Sequence, residues 1–343
     1  MPDTLASDLP PQDALHAWVA ACLADQLHLP DVDLPMQAAA DQGVLPWLGW
    51  RLHEAGLLPE LADAEQEDLR HSLRRWALMH LDCEAELERL AQSAAELGIR
   101  FLAFKGHSVA RTLYPHPACR PTSDFDLLID PEQVEPAREW IAGLGYTPLQ
   151  AFVGTVWLGA QSWASAAAGN ARFHADLHWD YSNRMYFRRR LPFATIWAES
   201  LAVPCGATTL RVPCPADDLV LACVHLAAHD PGMPVLQRWL LDIRLLMGAV
   251  NGPELPLLLE RARRAHAVEA CLAYGEQAAE LGEPEALAPV LSALRAEASP
   301  RRWRGYQRTL RWRGWDLACY WARLPIRQKA GFFGDMVRWL RVR

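Results

Sequence analysis

The sequence predicts an α+β fold: a small mixed or antiparallel sheet with flanking helices, set between N-terminal and C-terminal helical regions. Three observations predict it. Residues 11–98 read as helical, with Leu87, Leu90, Ala94 and Leu97 at i, i+3, i+7 and i+10. Short apolar runs bounded by turn residues then read as strands, at 99–104 and 124–129. Beyond Pro213 long apolar stretches return, at 219–228, 235–247 and 256–281, and read as helices. The boundaries that follow are a helical region at 1–94, a core at 95–212, a helical domain at 213–298 and a basic, Trp/Arg-rich segment at 299–343.

Each element has its local reason. Gly98 stops the long helical region, and the buried strand 99–104 follows it. Gly106 turns the chain, and 107–114 makes about two helical turns before Pro115 and Pro117. The loop 115–123 delivers the chain to a strand at 124–129. Asp130 suits an N-cap, Pro131 the first helical position, and Gln133 a reach back from N3. Val134, Ala137, Ile141 and Leu144 then form a buried face that ends at Gly145. Two further strands are expected at 152–158 and 171–179, with Gly169-Asn170 as the hairpin turn before the second.

Composition bounds the function. With 343 residues, 51% hydrophobic and 22% charged, the chain is long enough for two domains and is not of disordered type. Charges interrupt the apolar stretches too often for a spanning helix. Asp3 and Asp8 stand where a secretory signal would be basic. The eight cysteines are scattered with no C-x-x-C, which points to reduced, buried thiols in a cytoplasmic protein rather than a disulfide framework or zinc knuckle. Net charge is −7, yet the segment from Ser299 onward has 12 basic residues against two acids. That acidic body argues against extensive nucleic-acid contact, and the basic tail suits core packing, an anionic membrane surface or an acidic partner.

The most informative run is Ser123-Asp124-Phe125-Asp126, followed by Leu127-Leu128-Ile129. On a strand, Asp124 and Asp126 point to one face, because side chains alternate. Paired carboxylates at the mouth of a buried strand make a site for a hard divalent cation such as Mg²⁺, which keeps few protein ligands and shares phosphate oxygens. Upstream stands Lys105, one of only two lysines in the chain. On the later strand His174, Asp176 and His178 share one face. His225 and His229 are four apart on one helix, a metal-compatible spacing without the Glu of a metalloprotease motif.

Lys105-Gly106, Arg120-Pro121, the Asp124–Ile129 run and Asp176-Leu177-His178-Trp179 together resemble the polymerase-beta-like nucleotidyltransferase superfamily. More narrowly, the chain is similar to the bacterial uncharacterised nucleotidyltransferase family, nucleotidyltransferase family 5, over roughly residues 35–250, with His225, His229, Trp239 and Asp242 in its helical part. The resemblance implies that 95–212 is a nucleotidyltransferase-like catalytic core. It implies that Asp124, Asp126 and Asp176 are catalytic and hold Mg²⁺ or Mn²⁺. It also implies that Lys105, Gly106, His107, Arg120, Ser123 and His178 contact the nucleotide. One departure stands out: the superfamily has Gly-Ser on the turn before its D-x-D strand, and here the turn is Lys-Gly-His with Ser108 two places late.

The implied reaction moves a nucleotidyl or phosphoryl group from an NTP, with ATP the first candidate, to a hydroxyl acceptor. Positioning and neutralisation of phosphate charge carry such chemistry. Family associations imply a peptide, as in lasso-peptide modification, or a saccharide as acceptor. The alternatives are a regulatory, protein-adenylylating module of antitoxin type, and a non-catalytic binding protein of the same fold.

Overall fold

The computed structural model describes residues 11–24, 27–122, 124–152, 154–167, 170–229, 233–250, 252–311 and 313–342. The chain opens with helices α1 (Pro11–Leu23), α2 (Met36–Asp41) and α3 (Leu45–Glu54), then the 34-residue α4 (Asp63–Glu96). Strand β1 (Phe101–Ala103), helix α5 (Gly106–Thr112), strand β2 (Asp124–Ile129) and helix α6 (Val134–Gly143) follow. Strands β3 (Tyr146–Pro148), β4 (Ala160–Ala167) and β5 (Asn170–His178) complete a mixed five-stranded sheet of order β1-β2-β5-β4-β3. Only the central β2–β5 pair is parallel.

Helix α7 (Phe193–Ala198) leads to a separate hairpin of β6 (Leu201–Cys205) and β7 (Thr208–Val212). The helical part contains α8 (Pro215–Ala228), α9 (Gln237–Ala249), α10 (Leu255–Ala265), α11 (Val268–Ala279) and α12 (Ala288–Glu297). The tail forms α13 (Pro300–Arg311), α14 (Arg313–Arg323) and α15 (Ile326–Val342). Among the described residues no helix is long and apolar enough to cross a membrane, and no disulfide joins the described cysteines.

The expected mixed sheet between helical regions is the observed architecture, and period two explains its two faces. Phe125, Leu127 and Ile129 of β2, with Ala175 and Leu177 of β5, pack against Leu87, Leu90 and Ala94 of α4 and Ala137, Trp140 and Ile141 of α6. The opposite face carries Asp124 and Asp126 on β2 and Asp176 and His178 on β5. Leu128 on that face joins a second core, which runs through α1, α3 and α8–α12. Burying the Leu, Ile and Phe side chains of these two cores contributes about 1.5–3 kcal/mol each. The face that carries these carboxylates is therefore the one turned toward the helical part.

Several local expectations are corrected. Residues 152–158 are not a strand where described; the strand begins at Ala160. The backbone of that stretch is claimed by side chains instead. Asp335 of α15 accepts the N–H groups of Val156 (2.9 Å) and Trp157 (3.3 Å), while Arg188 and Tyr320 donate to its carbonyls. Leu97 is 63% exposed rather than part of the buried stripe. Asp130 does cap, accepting from the Glu132 N–H at 3.0 Å, but it caps a 3₁₀ turn at Pro131–Gln133. Gln133 accepts instead from the Arg100 N–H. The run 256–281 is two helices, broken where His266 takes a left-handed conformation. Gly169 lies outside the described residues; Ala167 pairs with Asn170 across the antiparallel ladder.

The tail packs on the rest of the chain. Tyr320, Leu324 and Phe332 cluster with Met185, Val156 and Trp157, and the Tyr306 hydroxyl donates to the Ala227 carbonyl. Trp303 lies against the helical core.

Candidate active site

The register of the parallel pair builds the site. Asp126 is paired with Asp176 and Leu128 with His178. Because both strands run the same way in register, ligand-bearing residues 50 positions apart in sequence become direct neighbours on one face. Oxygen atoms of Asp126 and Asp176 and a ring nitrogen of His178 lie within 4.8 Å of one another. Among the described residues this is the cluster with the spacing to hold a metal ion.

Asp126 sits at its centre and is buried. Its Oδ1 accepts from Lys105 Nζ at 2.6 Å and lies 2.9 Å from His178 Nε2. Burial alone would raise its pKa, but the Lys105 charge and the His178 hydrogen bond hold it well below the usual carboxylate range. Asp126 is therefore an anion ready for a cation. Phe104 meets the His178 ring edge-on at 5.0 Å and fixes its plane. The other ring nitrogen, Nδ1, is buried with no partner among the described residues.

Two carboxylates and an imidazole fit a divalent cation. The oxygens suit Mg²⁺, and the nitrogen widens the choice toward Mn²⁺. Asp124 lies two residues along the same face and lines the same cleft, but it is exposed and is not one of the close trio.

The cleft has a volume of about 360 Å³. Its sheet side presents Lys105, Asp124, Asp126 and Asp176. Its helical side presents His225 of α8, Arg238 and Trp239 of α9, and His229, which was expected on the same helix as His225 but is the extended residue just past its end. Lys105 caps α5 with a left-handed φ of 56°, which turns the chain sharply from β1 into that helix. Gly106 is required by close packing: a Cβ there would lie 2.5 Å from Thr122 Cγ2 and 2.6 Å from Arg120 Nη1.

The other expected contacts divide. His107 is buried behind the sheet, stacked on Phe125 at 5.2 Å, and does not line the cleft. Burial, aided by the Arg111 charge, pushes its pKa down to about 3. Arg120 lines the cleft, yet its guanidinium is engaged with Asp242 through Nε (3.2 and 3.3 Å) and Nη2 (2.6 Å), while Nη1 donates to the Pro121 carbonyl. Tyr114 donates to the same Asp242 at 2.9 Å. Ser123 lies outside the described residues. His225, His229 and Trp239 form an edge-to-face aromatic group on the helical wall. Burial, then the Lys105 charge, pushes the His225 pKa well down. Thr122 and Arg238 also line the cleft, although neither spacing nor residue type distinguishes them in the sequence.

The parallel pair, its Asp-Asp-His cluster and the cleft above it define an α+β protein with a metal-competent site. The family model for uncharacterised nucleotidyltransferases matches residues 29–282, and the chain belongs to that family. The match contains the sheet, the cluster and the helical wall of the cleft, and it stops short of the basic tail. No curated protein matches the chain.

Proposed function

We propose that the protein is a divalent-metal-dependent transferase that moves a nucleotidyl or phosphoryl group from an NTP, with ATP the first donor to test, to a hydroxyl acceptor. One observation carries the reading: Asp126 and Asp176 are register partners, with His178 beside them, under a cleft that also holds Lys105. Family membership supports it.

In this reading Asp126, Asp176 and His178 hold the cation, and Asp124 adds a carboxylate at the mouth. A bound divalent ion supplies Lewis-acid neutralisation of phosphate oxygens. Lys105 is a compact charge beside Asp126 and within reach of the same phosphate group. Asp176, partly exposed in the cleft, takes the proton of the acceptor hydroxyl. The acceptor oxygen forms a bond to phosphorus as the phosphorus–leaving-oxygen bond breaks. Attack at the α-phosphorus releases pyrophosphate; attack at the γ-phosphorus releases the nucleoside diphosphate.

The acceptor belongs to the same proposal. A peptide hydroxyl, as in lasso-type modification, and a saccharide are the two to test, in a cytoplasmic setting. The core at 95–212 supplies the chemistry, and the helical part at 213–298 covers the donor. Intact-mass analysis of candidate acceptors incubated with NTP and Mg²⁺ or Mn²⁺ tests the reading. A gain of one phosphate or one nucleotide, lost on Asp126→Asn, supports it. Metal-independent ATP binding, identical in the wild type, Asp124→Ala and Asp126→Ala, overturns it.

A further inference from the structure

We propose that Arg238, and not Arg120, is the guanidinium that meets the donor's triphosphate. The inference rests on the transferase reading above and assigns a binding residue within it. A guanidinium matches two phosphate oxygens with a planar fork, so an arginine in the cleft is the expected recognition group. Arg120 does not meet the requirement. Its nitrogens are engaged by Asp242 and by the Pro121 carbonyl, and it is 7% exposed.

Arg238 has the opposite situation. It lines the cleft from the helical side, across from Asp124 and Asp126. Among the described residues its side chain makes no ion pair, and its Nε is buried with no hydrogen-bond partner. Arg238 is half-buried and stays charged, and a partly desolvated guanidinium with a buried, unpartnered Nε is costly, so an anion completes the site. Burial and the nearby Arg120 charge push its pKa down, against the opposing pull of Asp242 and Asp124, neither of which pairs with it among the described residues.

Its position is fixed in advance. The Gln237 N–H donates to Gln42 Oε1 at 2.9 Å, and the Arg238 N–H donates to the Gln42 carbonyl at 3.3 Å. The side chain then passes over Gly43, where a Cβ would lie 2.6 Å from Arg238 Cδ. The guanidinium lies 5.7 Å from the centroid of the Trp239 ring. A side chain held this way loses little further freedom on binding.

The two sides of the cleft together specify the ligand class. The carboxylates call for a cation and Arg238 calls for an anion. A polyphosphate chelated to a divalent metal presents both at once.

The test is isothermal titration of the full chain with inorganic tripolyphosphate and Mg²⁺, and separately with Mn²⁺ alone. Arg238→Met keeps the aliphatic stem over Gly43. It is expected to weaken tripolyphosphate binding about tenfold or more while Mn²⁺ binding is unchanged. Arg238→Lys is expected to fall between the two. Asp126→Asn is expected to lose Mn²⁺. Wild-type tripolyphosphate affinity in a folded Arg238→Met chain, with Asp126→Asn still defective, overturns the assignment and leaves the transferase reading standing. If the Met variant melts early, Arg238→Lys decides: intermediate affinity supports the assignment and unchanged affinity overturns it. A wild-type chain that binds neither tripolyphosphate nor Mn²⁺ overturns both.

Discussion

Arg120 and Asp242 stand 122 residues apart in sequence and meet in a buried ion pair that ties the loop before β2 to helix α9. The pair sits at the junction of the two sides of the cleft, and its geometry sets how they face each other. Removing one partner leaves the other charge buried and alone. Asp242→Ala is therefore expected to cost about 3–5 kcal/mol, because it strands Arg120 and also takes the acceptor from Tyr114. Urea unfolding checks this. The double variant Arg120→Met, Asp242→Leu should recover much of the loss, and losses that simply add would contradict a coupled pair.

Metal affinity should depend on Asp126 and Asp176 more than on Asp124, since both belong to the close trio. Asp126→Asn and Asp176→Asn are each expected to weaken Mn²⁺ binding by more than about 100-fold, given that outer-shell losses alone cost 10- to 100-fold. Asp124→Asn is expected to lose less, because Asp124 lies outside the close trio. Calorimetric titration separates the three.

Asp218, in the first turn of α8, gives a pH dependence with a definite sign. It is buried, accepts from the Ser108 hydroxyl, and has a second oxygen with no partner among the described residues. Burial raises its pKa to about 8, and the charges of Asp242 and Asp217 add to the rise. Unfolded, it titrates near the ordinary 3.8. Between those values the folded chain holds one more proton than the unfolded one, so stability falls as pH rises from about 4 to about 8 and is flat above. Over pH 5 to 8 one such proton accounts for at most about 4 kcal/mol. Melting curves of Asp218→Asn should show a shallower decline over this range than the wild type. An unchanged slope would place the titrating group elsewhere.

Asp335 anchors the tail to the stretch before β4 by accepting two backbone N–H groups and pairing with Arg338. Asp335→Ala leaves those donors without their acceptor and is expected to cost about 1–3 kcal/mol. Limited chymotrypsin digestion gives the local readout: cleavage near Trp157 should accelerate ahead of global unfolding.

How much was legible in the sequence follows from which forces are local. The Asp124/Asp126 face was legible because alternation is a property of one strand. The identity of the neighbouring strand was suggested by the Asp176-Leu177-His178-Trp179 run, but the register that sets Asp126 against Asp176 is a long-range fact. Arg120 read as a phosphate ligand because its partner lies far along the chain. Residues 152–158 are largely apolar and aromatic and read as a strand, yet Arg188 and side chains of α14 and α15 satisfy the backbone there. The β6–β7 hairpin escaped notice because each strand has five residues and Pro204 interrupts the first. Arg238 gave no signal at all; that its Nε is buried without a hydrogen-bond partner among the described residues is a fact of three dimensions.

The grip of Gln42 and Gly43 on Arg238 bears on how this protein can be cut down. A shortened version starting at the first strand would keep Asp124, Asp126 and Asp176 and discard the scaffold that holds Arg238 in place. Such a fragment would also lose Leu87, Leu90 and Ala94, which cover the back of β2 and β5, so the opening helices belong to the working parts rather than to the packaging.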